Sequence, residues 1–225
     1  LEQEPFWDPL GKVFTWAKQN VTSILCSCLA THALVQHCYG LKRTHQGIKR
    51  WGVFSHKVIY QKHPLVAEIN TRFDVPHSRF NEIFQEDLEK TGVKVLVASQ
   101  QAGAHLFVSP DGFRIVFFQG HPEYDDISLL KEYKREVLRF YDNEIDTYPP
   151  FPENYFDDVC KKILDEYKEH IIIAKQTGIS PYDFPERDLI PLLDNTWRDT
   201  AKAVFNNWLG KIYQITNQDR RLPFM

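Results

Sequence analysis

Val21-Thr22-Ser23-Ile24-Leu25-Cys26-Ser27-Cys28 is the stretch on which the fold turns. It opens on β-branched residues, carries no charge and is apolar at Ile24 and Leu25, the pattern of a buried strand. Leu29 to Tyr39 follows with helical character, closed by Gly40 at a C′ position. Cys28 therefore stands where a strand hands over to a helix. Upstream, Val13, Phe14, Trp16 and Ala17 within residues 12–19 fit a short amphipathic helix.

Downstream the chain becomes more β-like. Trp51 to Tyr60 and Lys94 to Ser99 read as strands. His105–Ser109 and Phe113–Gln119 flank Pro110-Asp111-Gly112, a hairpin turn signal. Pro76-His77-Ser78-Arg79 reads as a polar loop, with a helix expected from about Phe80 to Glu89. A charged helix is expected over Ile127–Tyr141. After the breakers at Tyr148–Pro152, another spans about 157–174, with Phe156, Val159, Cys160, Ile163, Leu164 and Tyr167 on its apolar face. A polar loop covers roughly 176–195. Trp197–Tyr213 is the last helix, with Val204, Phe205, Trp208 and Leu209 expected inward. Strands mixed with helices predict an α/β sandwich.

The 225 residues fit one large domain, and 43% hydrophobic content supplies one sizeable core. Lys plus Arg number 27 against 30 Asp plus Glu, so no basic excess holds a phosphate backbone and a dedicated nucleic-acid binder is excluded. Mean hydropathy is −0.42, and no apolar run approaches the ~20 residues of a membrane span. No signal peptide is evident. The cysteines, Cys26, Cys28, Cys38 and Cys160, form no disulfide framework, which points to a reducing, cytoplasmic setting. Cys26, Cys28, His32, His37 and Cys38 cluster in sequence, but their spacing suits neither a zinc finger nor a zinc ribbon. Position 1 is Leu and the only Met is Met225, which predicts sequence upstream of residue 1.

Cys28 is the first candidate for chemistry. A thiol between a strand and a helix N-terminus has the place of a nucleophile elbow, flanked two residues away by the small Cys26 and Ala30. The helix end favours the thiolate and aims N–H groups at an oxyanion. A buried structural cysteine would share this local sequence. His121 and Glu123 are the second candidate: a carboxylate two residues from a histidine, across Pro122, orients the imidazole and favours its protonated form. A solvated surface turn is the alternative for that fragment alone. Together they fit a Cys-His-Glu triad.

Longer blocks carry a resemblance. Residues 21–28 with Tyr39-Gly40, Gly52-Val53-Phe54-Ser55-His56, His63-Pro64-Leu65, Pro76-His77-Ser78-Arg79 and Gly120-His121-Pro122-Glu123-Tyr124-Asp125 resemble homoserine O-acyltransferases of the succinyltransferase type. Asn154-Tyr155-Phe156, Thr196-Trp197-Arg198 and Asn206-Asn207-Trp208-Leu209 extend the likeness almost to the C-terminus. The resemblance implies a three-layer α/β sandwich of the class I glutamine-amidotransferase-like (flavodoxin-like) type, here without the family's N-terminal strands. It implies one acyltransferase domain over residues 1–225, and a homodimer.

The resemblance also assigns roles. Cys28 would accept the acyl group, His121 would be the general base, and Glu123 its partner. The N–H groups of Leu29 and Leu1 would form the oxyanion hole, and Lys49, Ser78 and Arg135 would bind the substrate. Acyl-CoA would enter as co-substrate in a ping-pong transfer to the hydroxyl of homoserine, in methionine biosynthesis, with no cofactor or metal. Glu2 matches the position associated with acyl choice. A carboxylate there fills the acyl pocket and repels a succinate, so acetyl-CoA is the expected donor, with succinyl-CoA as the alternative and serine as an alternative acceptor.

This chain departs from the family at Leu29 and His32, where Trp and Gln are usual, and in an extra helical segment at about 157–195. Those departures keep open a non-catalytic binding relative. A glutamine amidotransferase subunit would share the triad, but would carry glycines around the nucleophile that Cys26–Ala30 lacks.

Overall fold

The computed structural model describes residues 1–216. Six strands form one mixed sheet: β1 (Ile24–Ser27), β2 (Thr44–Val58), β3 (Arg72–Glu82), β4 (Lys94–Ser99), β5 (Gly103–Val108) and β6 (Ile115–Phe118), in the order β1-β6-β5-β4-β2-β3. Only β1 and β6 run parallel, with Ile24 opposite Ile115 and Ser27 opposite Phe118. β6 and most of β5 are buried, as strands covered on both faces must be.

Helices α1 (Trp7–Asn20), α2 (Leu29–Tyr39) and α3 (Gln85–Lys90) cover one face. Phe14, Leu34, Val35 and Leu88 meet Val95, Phe107, Ile115 and Phe117 there. On the other face Val204, from the C-terminal helix, packs with Leu65, Leu96, Leu106, Val116 and Phe118. A third apolar cluster joins Trp51 and Val53 of β2 to α4 (Ser128–Tyr141) and α5 (Asp158–Thr177), with Phe184 and Leu189. Leu189 ends the one-turn helix α6 (Glu186–Leu189), and α7 (Arg198–Thr216) is the C-terminal helix.

Local chemistry explains several boundaries. Asp157 caps α5 by accepting from the Cys160 N–H at 2.7 Å. Gly40 ends α2 in the left-handed region at φ 69°. Asp111 accepts from the Phe113 and Arg114 N–H groups, fixing the β5–β6 turn.

Two expectations are corrected. Residues 76–79 are not loop but the middle of β3, paired antiparallel with residues 50–53 of β2 (Val53 opposite Pro76, Arg50 opposite Arg79), and the helix expected from Phe80 shrinks to α3. Pro76 is tolerated because β3 lies at the edge of the sheet. On α7, Val204 is buried but Phe205 and Leu209 face outward. Two strands also shift their bounds: β1 is shorter than the uncharged run, and β2 begins seven residues before Trp51.

The sheet curls. The His121 N–H donates to the Pro76 carbonyl at 2.8 Å, bringing the loop after β6 against β3, at the far end of the strand order. Gly120 makes the approach possible: a Cβ there would lie 2.8 Å from His77 and Val75.

Candidate active site

β1 ends at Ser27 and α2 begins at Leu29, leaving Cys28 as the single residue of the turn. Its φ of 47° and ψ of −110° are strained for an L-residue with a side chain. The strain is held from outside: the Cys28 N–H donates to the Phe118 carbonyl at 2.9 Å, and the Cys28 carbonyl accepts from His32 N–H at 3.0 Å. Leu29 then opens α2, and first-turn N–H groups have no partner inside their own helix.

The loop after β6 brings His121 to this turn. The imidazole donates from Nδ1 to the Glu123 carboxylate at 2.8 Å, and the Cys28 thiol lies near enough to act on its charge. Nδ1 thus donates to Glu123, and Nε2 is left for the thiol. Burial pulls the pKa of His121 down, but these two partners outweigh it and raise it to about 9. Burial likewise pushes the Glu123 carboxyl up, and the bonds from His121 and Ser27 more than reverse it.

Beside the base lies a second polar set. Tyr124 stacks on His121 with ring centroids 4.2 Å apart, and its hydroxyl donates to Glu132 at 2.7 Å. Glu132, on α4, also accepts from Ser78 at 2.6 Å and pairs with Lys49 at 3.1 Å. Lys49 sits over the Trp51 ring. Burial lowers its pKa and Glu132 works against that. Burial raises the Glu132 carboxyl, while Ser78, Tyr124 and Lys49 bring it below the ordinary value. Lys49 and Ser78, predicted separately, are thus joined through a residue that was not. Arg135 lies one turn beyond Glu132, exposed and paired with Glu136 at 3.1 Å.

The predicted residues near the N-terminus meet α2 and its surroundings. Leu1 packs into the α1–α2 cluster. Glu2 pairs with Lys42 at 3.3 Å and has its pKa lowered by Gln36, about two helical turns past Cys28. His32 does not face solvent: its Nε2 meets the Gln119 carboxamide at 3.1 Å, and burial brings its pKa down to about 4.

An α/β sandwich with a cysteine elbow on one strand and a His-x-Glu loop on its parallel neighbour has the architecture of class I glutamine amidotransferases. A solved glutamine amidotransferase from Thermotoga maritima superposes with a TM-score of 0.51 over 94% of this chain and 71% of its own, at 14% identity, a likeness of fold alone. The chain belongs to the family described as homoserine O-succinyltransferase, whose profile matches residues 1–218. Proteins named homoserine O-succinyltransferase from Methylobacter tundripaludum and Methylococcus capsulatus are 70% and 64% identical over 225 residues, the whole of this chain. The chain spans 64% and 63% of their respective lengths.

Proposed function

We propose that this chain carries the acyl-transfer centre of an enzyme that moves a succinyl group from succinyl-CoA to the hydroxyl of L-homoserine, in methionine biosynthesis. The observation that carries the reading is Cys28, held in a strained turn at a helix N-terminus beside an imidazole that Glu123 orients. The Cys28 thiolate attacks the thioester carbonyl, the first-turn N–H groups of α2 receive the oxyanion, and protonated His121 gives its proton to the departing CoA sulfur. Neutral His121 then takes the proton of the homoserine hydroxyl as it attacks the acyl-enzyme, and Cys28 leaves.

Lys49 and Arg135 suit the carboxylate of the amino acid, and Glu132 its ammonium group. Succinyl-CoA replaces the acetyl-CoA expected from Glu2. The names of the relatives support it, and the Glu2 carboxylate is paired with Lys42, just past the end of α2.

Intact-protein mass spectrometry after mixing with succinyl-CoA or acetyl-CoA, without acceptor, tests this. A single succinyl adduct, absent in Cys28→Ala and discharged by homoserine, is expected. An acetyl adduct alone would restore the first donor, and no adduct from either would remove the acyl-transfer reading.

A further inference from the structure

The turn at Cys28 and the loop at His121 are tied together residue by residue. The Phe118 carbonyl accepts from both the Cys28 N–H and the Thr31 hydroxyl, each at 2.9 Å. The Gln119 carboxamide takes His32. Ser27 Oγ lies 3.2 Å from the Gly120 carbonyl and 3.2 and 3.1 Å from the two oxygens of Glu123.

Ser27 is the tie the mechanism leaves unused. A hydroxyl has one proton to donate, and a carboxylate is the stronger acceptor, so Glu123 takes it. Apart from its own backbone N–H, Glu123 has little else to hold it. Its side chain is 55% exposed, so packing does not fix its rotamer, and among the described residues only His121 and Ser27 reach it with their side chains. A carboxylate bound to one mobile partner can swing into water, whereas one bound at two points stays in the plane that His121 needs.

We propose that Ser27 is a positioning residue: its hydroxyl pins Glu123 from β1, so that the strand presenting the nucleophile also aligns the base. The proposal rests on the acyl-transfer reading for its catalytic meaning, but its geometry can be tested without turnover. The other titratable neighbours of His121 do not confuse the measurement. Burial keeps His77 and His105 neutral, and burial with the Glu132 bond keeps Tyr124 protonated.

The test is an NMR titration of the histidine side chains in a Cys28→Ala background, which removes the thiol as a partner. The His121 signal is identified by its loss in His121→Asn. Ser27→Val and Ser27→Thr form an isosteric pair, so a failure of shape or folding strikes both alike. The His121 midpoint should fall by about half a pH unit or more in Ser27→Val and hold in Ser27→Thr. Equal midpoints in the two variants would overturn the proposal, as would a fall in Thr as large as in Val. With Cys28 restored, acyl-enzyme formation is then compared in the same pair. Failure of every variant to form an adduct counts against the acyl-transfer reading, while the titration still decides the role of Ser27.

Discussion

A few residues at the site allow no substitute, for reasons their neighbours impose. Gly120 is one: the ring that its Cβ would meet is locked, because His77 hydrogen-bonds His56 at 3.2 Å and accepts from Arg79 at 3.3 Å. Gly120→Ala should therefore cost about 1–3 kcal/mol by urea denaturation and displace the adjacent base. Glu132→Gln removes the charge facing Lys49 and should raise the apparent KM for the amino acid about tenfold to a hundredfold, with a smaller effect on kcat. Steady-state kinetics with homoserine varied decide it, and an unchanged KM would place Glu132 outside the acceptor site. Cys28, His121 and Glu123 were legible in sequence because each pairs a reactive side chain with a local signal, a strand–helix break or an i, i+2 spacing. Ser27, Gln119 and Glu132 were not. Their partners lie 83 to 96 positions away for Lys49–Glu132 and Ser27–Glu123, and no local period encodes such meetings.

At the scale of elements, β3 was misread because its composition contradicts its place. Pro76, His77, Ser78 and Arg79 are loop-like residues, yet pairing with β2 and the bonds of His77 and Arg79 satisfy them inside the sheet. The outward Phe205 and Leu209 are a related case, since helical periodicity marks an apolar stripe but not which part of it a neighbour covers. β2 also carries the anchor of the C-terminal half. Gly52, at φ 144°, pairs with Glu153, bonded on either side by Val53 N–H to Glu153 O and Glu153 N–H to Trp51 O, both 2.8 Å. A Cβ on Gly52 would lie 2.2 Å from the Glu153 carbonyl oxygen, and backbone cannot step aside as a side chain can. Gly52→Ala should free the segment around Glu153. Hydrogen exchange should show lost protection at Val53 and Glu153, with β5 and β6 unaffected.

For the whole molecule, buried histidines set the response to acid. Burial takes His32 and His56 down to about 4 and holds His77 and His105 well below their ordinary value. An unfolded chain takes up these protons near 6.5, which the native state refuses. Their stabilisation is complete above that pH and drains as pH falls towards 4 and below, by about 1.4 kcal/mol per pH unit for each histidine. His121 has the opposite sign: raised to about 9, it stabilises fully below 6.5, and that contribution is lost as pH rises through 9. Urea midpoints measured across pH should fall steeply on the acid side and gently on the alkaline side. A flat acid limb would mean that the four rings are not buried neutral in solution.

The parallel pairing of β1 with β6 also imposes an order in time. Ser27 and Glu123 are 96 positions apart in the chain. A ribosome adding roughly 5–20 residues per second releases the nucleophile many seconds before the base that tames it. Through that interval the thiol of the nascent chain has a strand without its neighbour and no imidazole beside it, so the reactive pair is assembled only when synthesis has passed His121.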